Sequence, residues 1–294
     1  MANATGLLTS AQIVQQALDL TFTKRPILSK FGIDVSEGEA KFNQVVTTRI
    51  LNIPAVNNFP AAATDTAYTD VSVTLNLFKQ VHVAFTPQEL NGTNRNLSDE
   101  AANTLAVAIS NHIIDAVAAN WTAANYPTNT VVASGWNMTN TIVPLRTALT
   151  GRGVRDDRRF LITNSAVYGS FLTDTNIVGA LVNPGNNGSI GSGALPNVMG
   201  FSIDEYPAIP TAGNQVAFCG TPDSAIFVSR IPSNPAETGV QFPGQMQVIT
   251  SDAGLSVLLT NWVDPSTMVV NNRILLMYGT AKGNANNGQR LTTA

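Results

Sequence analysis

The clearest pattern in the sequence is the alternation of apolar and polar residues over DVSVTLNLFKQVHVAF, residues 70–85. This period of two, interrupted only at Lys79, predicts a β-strand with one buried face. The preceding run KFNQVVTTRILNI, residues 41–53, predicts a partner strand, and the loop over 54–69 completes a hairpin. A continuous strand over 70–85 is about 50 Å long, close to the diameter of a compact protein of this size. We therefore expect the hairpin to project beyond the body.

A long helix is predicted by NLSDEAANTLAVAISNHIIDAVAANWTAANYP, residues 96–127. Ser98 and the acidic residues after it favour a helix start, and Pro127 enforces a stop, which gives about 28 residues and about 42 Å. Ile113 belongs to the central apolar stripe, whereas Val107, Ile114 and Val117 lie on other faces of the helical wheel. A helix that is apolar on several sides must be covered on several sides. The hairpin and the helix together indicate that copies of the chain complete one another's packing.

The remaining pattern predicts shorter elements. Residues 10–20, SAQIVQQALDL, predict a short helix, and residues 21–40 predict an irregular arm that has little of its own to fold against. From residue 136 onward, short helices and strands alternate before long terminal strands. The predicted helices are TIVPLRTALT, with Pro144 in the first turn, and SAVYGSFLTD, capped by Ser165; the predicted strands are RRFLITN, GFSIDEYPAI, QVAFCG, AIFVSR, QMQVITS, LSVLLTNWV and MVVNNRILLMYG.

Charge is scarce in this chain. Charged residues make up 12% of the 294 residues, about half of the roughly 25% usual for soluble domains, so much of the surface must be neutral or covered by a partner. The net charge of -3 and the pI near 5.3 provide no basic footprint, which makes tight binding to a phosphate backbone unexpected.

The number of cysteines and the sequence of the N-terminus indicate the cellular compartment of the protein. The single cysteine, Cys219, lies in the apolar run VAFCG, which favours buried packing over a reactive thiol and excludes an internal disulfide framework. The N-terminus lacks the pattern of a secretory signal, and no apolar run approaches the ~20 residues that span a bilayer. We expect a protein that is made and kept in the cytosol without a membrane association.

The strongest candidate for chemistry is the pair His112 and Asp115 in SNHIID. On a helix the two side chains lie about 60° apart and can face one cavity. The only other histidine is His82, so a zinc site built on His and Cys needs carboxylates to complete it. A polar flank of a packed helix is the favoured interpretation. A hydrolase that uses His112, Asp115 and a distant serine is the alternative, although no G-x-S-x-G motif occurs.

Two further segments can be interpreted either as functional sites or as ordinary surface structure. The charged run RGVRDDRR, residues 152–159, could hold a phosphate or pair with a neighbouring subunit; it could equally be a solvated turn in which Asp156 and Asp157 offset the arginines. The glycine-rich loop at 185–193 lacks the Gly-Lys-Ser/Thr of a phosphate-binding loop. A mobile surface loop is its favoured interpretation.

The order of these parts resembles the major capsid protein of tailed bacteriophages, a fold shared with encapsulin compartments. Three stretches carry the resemblance over nearly the whole chain: VTLNLFKQVHVAFTPQELN leading into the long helix, GVRDDRRFLITNSAVYGSFL, and LPNVMGFSIDEYPAIP with the strands through AIFVSR. The resemblance implies an α+β fold with an N-terminal arm, an extended β-hairpin loop, a peripheral domain with a long spine helix, and an α/β axial domain. The implied boundaries are 1–41 for the arm, 42–85 for the extended loop, 86–135 with 224–272 for the peripheral domain, and 136–223 with 273–294 for the axial domain.

The function that the resemblance implies is structural. Copies of the chain would form pentamers and hexamers of an icosahedral virion shell around phage double-stranded DNA, without sequence-specific binding, after synthesis in the bacterial cytoplasm. A separate scaffolding protein, a portal and a decoration protein are the implied partners. No catalytic residue, cofactor or metal is implied, and His112 and Asp115 become structural residues of the spine helix.

Other functions stay open at this stage. An encapsulin-like compartment is the nearest alternative, a tail-tube component is less favoured because of the long helix, and the hydrolase is an alternative of a different class. Some capsid relatives cross-link through a lysine on the extended loop. Between Asn43 and Phe78 this chain has no lysine, and Lys41 and Lys79 lie at the hairpin base, so we do not expect that chemistry here.

Overall fold

The computed structural model describes residues 14–15, 17–20, 26–51, 58, 68–92, 97–132, 135–177, 195, 197–232, 245–251 and 254–294. Its α-helices are α1 (Pro87–Gly92), α2 (Leu97–Ala118), α3 (Val143–Gly151) and α4 (Ser165–Thr173). Its strands are β1 (Gly32–Ala40), β2 (Val45–Leu51), β3 (Tyr68–Thr74), β4 (Leu77–Phe85), β5 (Asn129–Val132), β6 (Arg159–Thr163), β7 (Phe201–Glu205), β8 (Gln215–Gly220), β9 (Ala225–Pro232), β10 (Gln245–Thr250), β11 (Ser256–Val263), β12 (Val270–Lys282) and β13 (Gly288–Thr293).

The strands form two larger sheets and one two-stranded ribbon. The first sheet has the order β1-β9-β12-β11-β10, and β4 pairs with the other edge of β12. The second sheet has the order β5-β13-β8-β6-β7. The ribbon consists of β2 and β3, paired antiparallel from Val45 opposite Thr74 to Leu51 opposite Tyr68.

The periodic segments of the C-terminal half fold as the sequence predicts. Each of the seven strands predicted from residue 136 onward is present as β6 to β12, and Pro144 lies in the first turn of α3. One detail differs at the start of α4. The Asn164 side chain, rather than Ser165, accepts a hydrogen bond from the backbone N–H of Val167 at 3.0 Å and caps the helix.

The arm is more ordered than its sequence indicates. Residues 32–40 form β1, which runs parallel to β9, and Val14, Ala17 and Leu18 are buried in the largest core cluster. Residues 14–15 and 17–20 are helical, as predicted, whereas the prediction of an irregular arm with little to fold against is wrong for residues 32–40. The reason is that the strand depends on a partner almost two hundred positions away, which local periodicity does not report.

The long alternating run at 70–85 is two strands instead of one. Leu75 and Asn76 separate β3 from β4, and β4 pairs antiparallel with β12 from Leu77 opposite Tyr278 to Phe85 opposite Val270. The alternation continues from one strand into the next because each strand has one face that is less exposed than the other. The expected continuous strand of about 50 Å is therefore wrong, and β4 belongs to the body of the molecule.

The ribbon lies on the outer face of the first sheet, which is the face turned away from α2. Ile50 and Val73 of the ribbon are buried in one cluster with Val228 and Met277 of the sheet. Thr48 Oγ1 donates a hydrogen bond of 2.6 Å to Asp34 Oδ2 of β1. The expectation that the hairpin projects away from its own body is thus wrong for β2 and β3; its tip at 52–57 and 59–67 lies outside the described residues.

Helix α2 ends earlier than predicted. It stops at Ala118, nine residues before Pro127, because the next amides donate to the carbonyl three residues back instead of four, Asn120 N to Val117 O and Trp121 N to Ala118 O. The Asn120 side chain also donates to Thr280 Oγ1 at 2.9 Å. Ile114 and Val117 are buried by the chain itself, so the covering by other copies that the wheel suggested is not needed for them.

A central aromatic cluster joins the parts. Trp121 stacks on Phe218 of β8 with ring centres 4.6 Å apart, and Phe31 of the arm meets both Trp121 and Phe160 edge-on. These residues belong to the core beneath α2, which takes side chains from both sheets. A second core lies between the second sheet and helices α3 and α4. Burial of these rings against one another is a major part of what fixes the sheets together.

The predicted domain boundaries stay a prediction. Strand β12 runs across the proposed boundary at 272/273, and β5 of the second sheet lies before the one at 135/136. Within the described residues, no helix is long and apolar enough to cross a membrane.

Candidate assembly surfaces

The base of the ribbon exposes three large apolar side chains. Phe42, Val45 and Phe78 keep 56%, 55% and 47% of their surface exposed, and the rings of Phe42 and Phe78 meet edge-on at 6.4 Å. We call these three residues the base cluster. Because grouped exposed apolar side chains mark interaction sites more often than scattered ones do, the base cluster is a candidate contact for a partner.

The base cluster has a physical cause in the alternation of β2 to β4. Side chains of the ribbon at 46, 48, 50, 71 and 73 turn towards the sheet, while those at 45, 47, 49, 70 and 72 turn outward. Along β4, the outward positions are Phe78, Gln80, His82 and Ala84. The exposed stripe of β4 is therefore continuous with the base cluster.

Further along the outer face, three side chains stack. The His82 ring lies parallel to that of Trp262 with centres 5.5 Å apart, and the Arg273 guanidinium lies 4.8 Å from the Trp262 ring centre. His82 Nε2 lies 2.9 Å from Asn271 Oδ1, whose amide nitrogen donates to the Val269 carbonyl at 3.1 Å. We call His82, Trp262 and Arg273 the cation stack. The cation stack is not predictable from the sequence, because its three residues lie on three strands whose register no spacing rule provides.

The structure places His112 and Asp115 on α2 with separate partners. The Tyr206 hydroxyl hydrogen-bonds the Asp115 carboxylate, and its oxygen lies 3.2 Å from the Asn111 carbonyl oxygen. His112 meets the Tyr278 ring edge-on at 5.9 Å, and its Nε2 is buried without a hydrogen-bond partner. Asp115 thus ties the helix to the end of β7 in the second sheet, whereas His112 packs against the first.

His112 also lines a small apolar cavity of about 220 Å³ between α2 and strands β4 and β12. Burial lowers the pKa of His112, the charge of Lys79 lowers it further, and Asp115 opposes both. The imidazole is therefore held in its neutral form. Among the described residues, no serine hydrogen-bonds the Nε2 atom of His112.

The run at 152–159 forms the turn between α3 and β6, and its arginines have different roles. Arg152 donates to Thr128, Gly288 and Gln289, and Arg159 donates to the Arg155 carbonyl and to Thr150. Arg155 pairs with Asp157 at 2.9 Å on the surface. Two of the arginines thus serve the chain's own packing, and Arg155 is offset locally.

Cys219 is fully buried in β8. Burial raises the pKa of its thiol to about 12, although Arg152 and Arg159 act in the opposite direction. Such a thiol carries almost no thiolate near neutral pH, as the interpretation as a packing residue requires. The glycine-rich loop at 185–193 lies outside the described residues, and within the described part no three His, Cys, Asp or Glu side chains group as metal ligands do.

Comparisons with known proteins bear on the fold. No family model matches the sequence, and no curated protein matches it. Solved structures do match. The capsid of cyanophage P-SCSP1u is 12% identical with a TM-score of 0.54, covering 90% of this chain and 86% of that one. The mature capsid of bacteriophage PhiM1 is 10% identical with a TM-score of 0.53, over 90% and 86% of the two chains.

A virus-like particle from Pyrococcus furiosus is also similar. It is 14% identical with a TM-score of 0.54, and the match covers 95% of this chain and 97% of that one. At these identities the likeness establishes the fold. The chain has the α+β fold of tailed-phage capsid proteins, as the sequence predicted, and most of its length takes part in the match.

Proposed function

We propose that this protein is the structural subunit of an icosahedral shell of a tailed bacteriophage. In this proposal, many copies assemble into pentamers and hexamers that close around double-stranded DNA. The observation that carries the proposal is the likeness in fold to the capsids of two phages over at least 86% of every chain compared. Most of the chain therefore aligns with a phage capsid structure.

The base cluster supplies a physical reason to assemble. Each copy leaves Phe42, Val45 and Phe78 exposed to water, and burial of apolar surface contributes about 25 cal/mol per Å². In a symmetric assembly the same contact recurs at every subunit. Contacts that are individually weak then close a stable shell.

The low charge of the chain suits this role. A subunit that is covered by neighbours on several sides keeps little free surface on which charges are needed for solubility. A net charge of -3 also disfavours adhesion of DNA to the shell. We propose that DNA is enclosed without sequence-specific binding.

The proposal also covers the parts of the chain, its location and its partners. The arm would be residues 1–41, the extended loop 42–85, the peripheral domain 86–135 with 224–272, and the axial domain 136–223 with 273–294. The proposed location is the virion, after synthesis in a bacterial cytoplasm. A scaffolding protein, a portal and a decoration protein are the proposed partners. His112 and Asp115 would hold α2 in place and take no part in catalysis.

Electron microscopy of the purified protein tests the proposal. We expect closed shells, or rings of five and six subunits, and a chain that stays monomeric at high concentration would contradict the proposal. Deletion of residues 54–67 should abolish shells while the subunit stays folded, because β2 and β3 pack on their own sheet without the tip.

A substitution in the base cluster makes the test more specific. Phe42→Glu places a charge where a neighbour is expected, and Phe42→Leu keeps an apolar side chain of similar size. We expect the Glu variant to assemble poorly and the Leu variant to assemble as the wild type does. Equal assembly of the two variants would remove the base cluster from the interface.

A compartment that encloses a protein cargo is the second candidate. It is favoured by the match to the virus-like particle from Pyrococcus furiosus, which covers 97% of that chain. Both candidates predict a shell, so the contents distinguish them. Packaged DNA supports the phage shell, and a packaged protein supports the compartment.

A further inference from the structure

Arg273 carries a charge that the described part of the chain leaves uncompensated. The four ion pairs among the described residues involve Lys30, Arg49, Arg155 and Arg230 instead. The Arg273 side chain is half-buried, and its Nε is buried without a hydrogen-bond partner. The Arg273 guanidinium therefore has hydrogen-bonding capacity and charge that an anion from outside the chain can satisfy.

Contacts on one side restrict the Arg273 guanidinium. Its central carbon lies 4.8 Å from the centre of the Trp262 ring, Trp262 stacks on His82, and His82 Nε2 lies 2.9 Å from Asn271 Oδ1. The register of the strands explains this arrangement. Arg273 of β12 lies directly opposite His82 of β4, and Asn271 of β12 lies directly opposite Trp262 of β11. A guanidinium that is already oriented loses less conformational entropy when it binds an anion.

The chemistry of the site indicates a carboxylate. Because Nε is buried, the edge of the guanidinium formed by Nη1 and Nη2 is the one that can bind a ligand, and this edge matches the two oxygens of a carboxylate in a bidentate pair. The chain has 19 acidic residues against 16 basic ones, so another copy of it is a net donor of carboxylates. His82 of the cation stack also lies on the exposed stripe of β4 that begins at Phe78 in the base cluster.

We propose that the cation stack is the site where a carboxylate of a neighbouring copy binds, through Arg273. The inference rests on the proposed function, since it needs a neighbouring copy. It adds an ion pair of defined position to the apolar contact of the base cluster. The ion pair would fix the register between two copies more than it would add to their affinity.

Substitution of Arg273 tests the energetic part. Arg273→Ala and Arg273→Glu should lower the yield of shells by about tenfold or more, with the Glu variant the worse of the two. The urea midpoint of the unassembled subunit should change little. Arg155→Ala is the matched control, because it removes a surface arginine that already has Asp157 as its partner.

A zero-length cross-link tests the geometry. In the Arg273→Lys variant, a water-soluble carbodiimide activates the neighbour's carboxylate, the introduced amine forms an amide with it, and the carbodiimide leaves as a urea. Mixing ¹⁵N-labelled and unlabelled subunits before cross-linking separates links between copies from links within one. We expect a ladder of covalent oligomers and one dominant peptide that joins position 273 to an Asp or Glu of another copy. Arg155→Lys should give no such peptide between copies.

The outcomes separate this inference from the proposed function. Shells that form normally from Arg273→Ala, with no link from position 273 of Arg273→Lys to another copy, overturn the inference and leave the shell proposal intact. Shells of Arg273→Ala that form normally but retain less DNA assign the site to phosphate and also overturn it. A wild-type chain that stays monomeric contradicts both.

Discussion

At the scale of single residues, the polar side chains that the sequence singled out serve the packing of the chain. Asp115 is held by Tyr206, which is 91 positions away, so a reader of the sequence could predict a polar helix flank but not the partner. His112 could be recognised as a poor catalytic candidate from the absence of a motif. The absence of a hydrogen-bond partner for its Nε2 could not be predicted, because it depends on the packing around the cavity between α2 and β4.

Cys219 should be unreactive in the folded protein. With a thiol pKa raised to about 12 by burial, only ~0.01% of it is thiolate at pH 8. We expect no labelling by Ellman's reagent over hours under native conditions, and one labelled thiol per chain in concentrated guanidinium. Rapid labelling without denaturant would show that β8 opens readily, and a Cys219→Ala chain provides the blank.

Stability should fall on the acid side of neutrality, in part through His112. Its folded pKa lies below the ordinary value of 6.5, so the unfolded chain binds the proton more readily. The stabilisation is complete above about pH 6.5 and is lost as the pH falls through 6.5 towards the lower folded pKa.

Urea unfolding between pH 7.5 and 5 measures this effect. Replacing His112 with Gln should flatten the decline relative to the wild type, whereas Val107→Gln on the same helix should not. Identical pH slopes for the wild type and the His112 variant would contradict the assignment.

At the scale of elements, the place where the ribbon crosses the sheet depends on one glycine. A Cβ added to Gly279 of β12 would lie 2.2 Å from the Thr74 carbonyl oxygen and 2.9 Å from a Val73 methyl group. No side chain fits there, because the obstacle is backbone. The chain therefore passes from β3 to β4 directly over Gly279.

Substitution of Gly279 should be costly for this reason. We expect Gly279→Ala to lower the free energy of unfolding by about 1–3 kcal/mol and to make the segment 68–76 more sensitive to proteolysis. Gly169→Ala is the control, because its added Cβ meets nothing within 4 Å inside α4 and Ala favours a helix by up to about 1 kcal/mol. A Gly279 variant as stable as the wild type would show that the crossing can shift freely.

Elements with a clear hydrophobic periodicity could be predicted from the sequence. Elements that form only by pairing with a distant strand could not. The alternation of apolar and polar residues in β4 and the apolar faces of α2 can both be recognised within one continuous stretch of sequence. In contrast, β1 exists because β9 accepts it in parallel, and β5 and β13 pair with each other in parallel. The cation stack was beyond reach for the same reason, since it needs the register of β4, β11 and β12 together.

At the scale of the whole molecule, the final strands occupy inner positions in both larger sheets. β12 pairs with β4, β9 and β11, and β13 lies between β5 and β8. Their side chains are in the cores, with Tyr278 and Leu291 fully buried. Neither sheet is complete without them.

A short C-terminal truncation should therefore be disproportionately harmful. Removing residues 288–294 takes Leu291 from the second core and leaves β5 and β8 without their shared partner. Loss of a buried Leu alone costs about 2–5 kcal/mol against a total stability of about 5–15 kcal/mol. We expect an insoluble or non-cooperatively unfolding product by circular dichroism. A chain extended by a Gly-Ser tail should fold normally, and a soluble, cooperative truncated chain would refute this account.

The late position of β12 has a consequence for biosynthesis. A ribosome adds about 5–20 residues per second. Until it has passed residue 282, β4, β9 and β11 lack their shared partner strand, β12. A nascent chain that has not yet emerged through residue 282 thus has no finished first sheet. Two copies that grow side by side on one message cannot join through this sheet before β12 has been added to it.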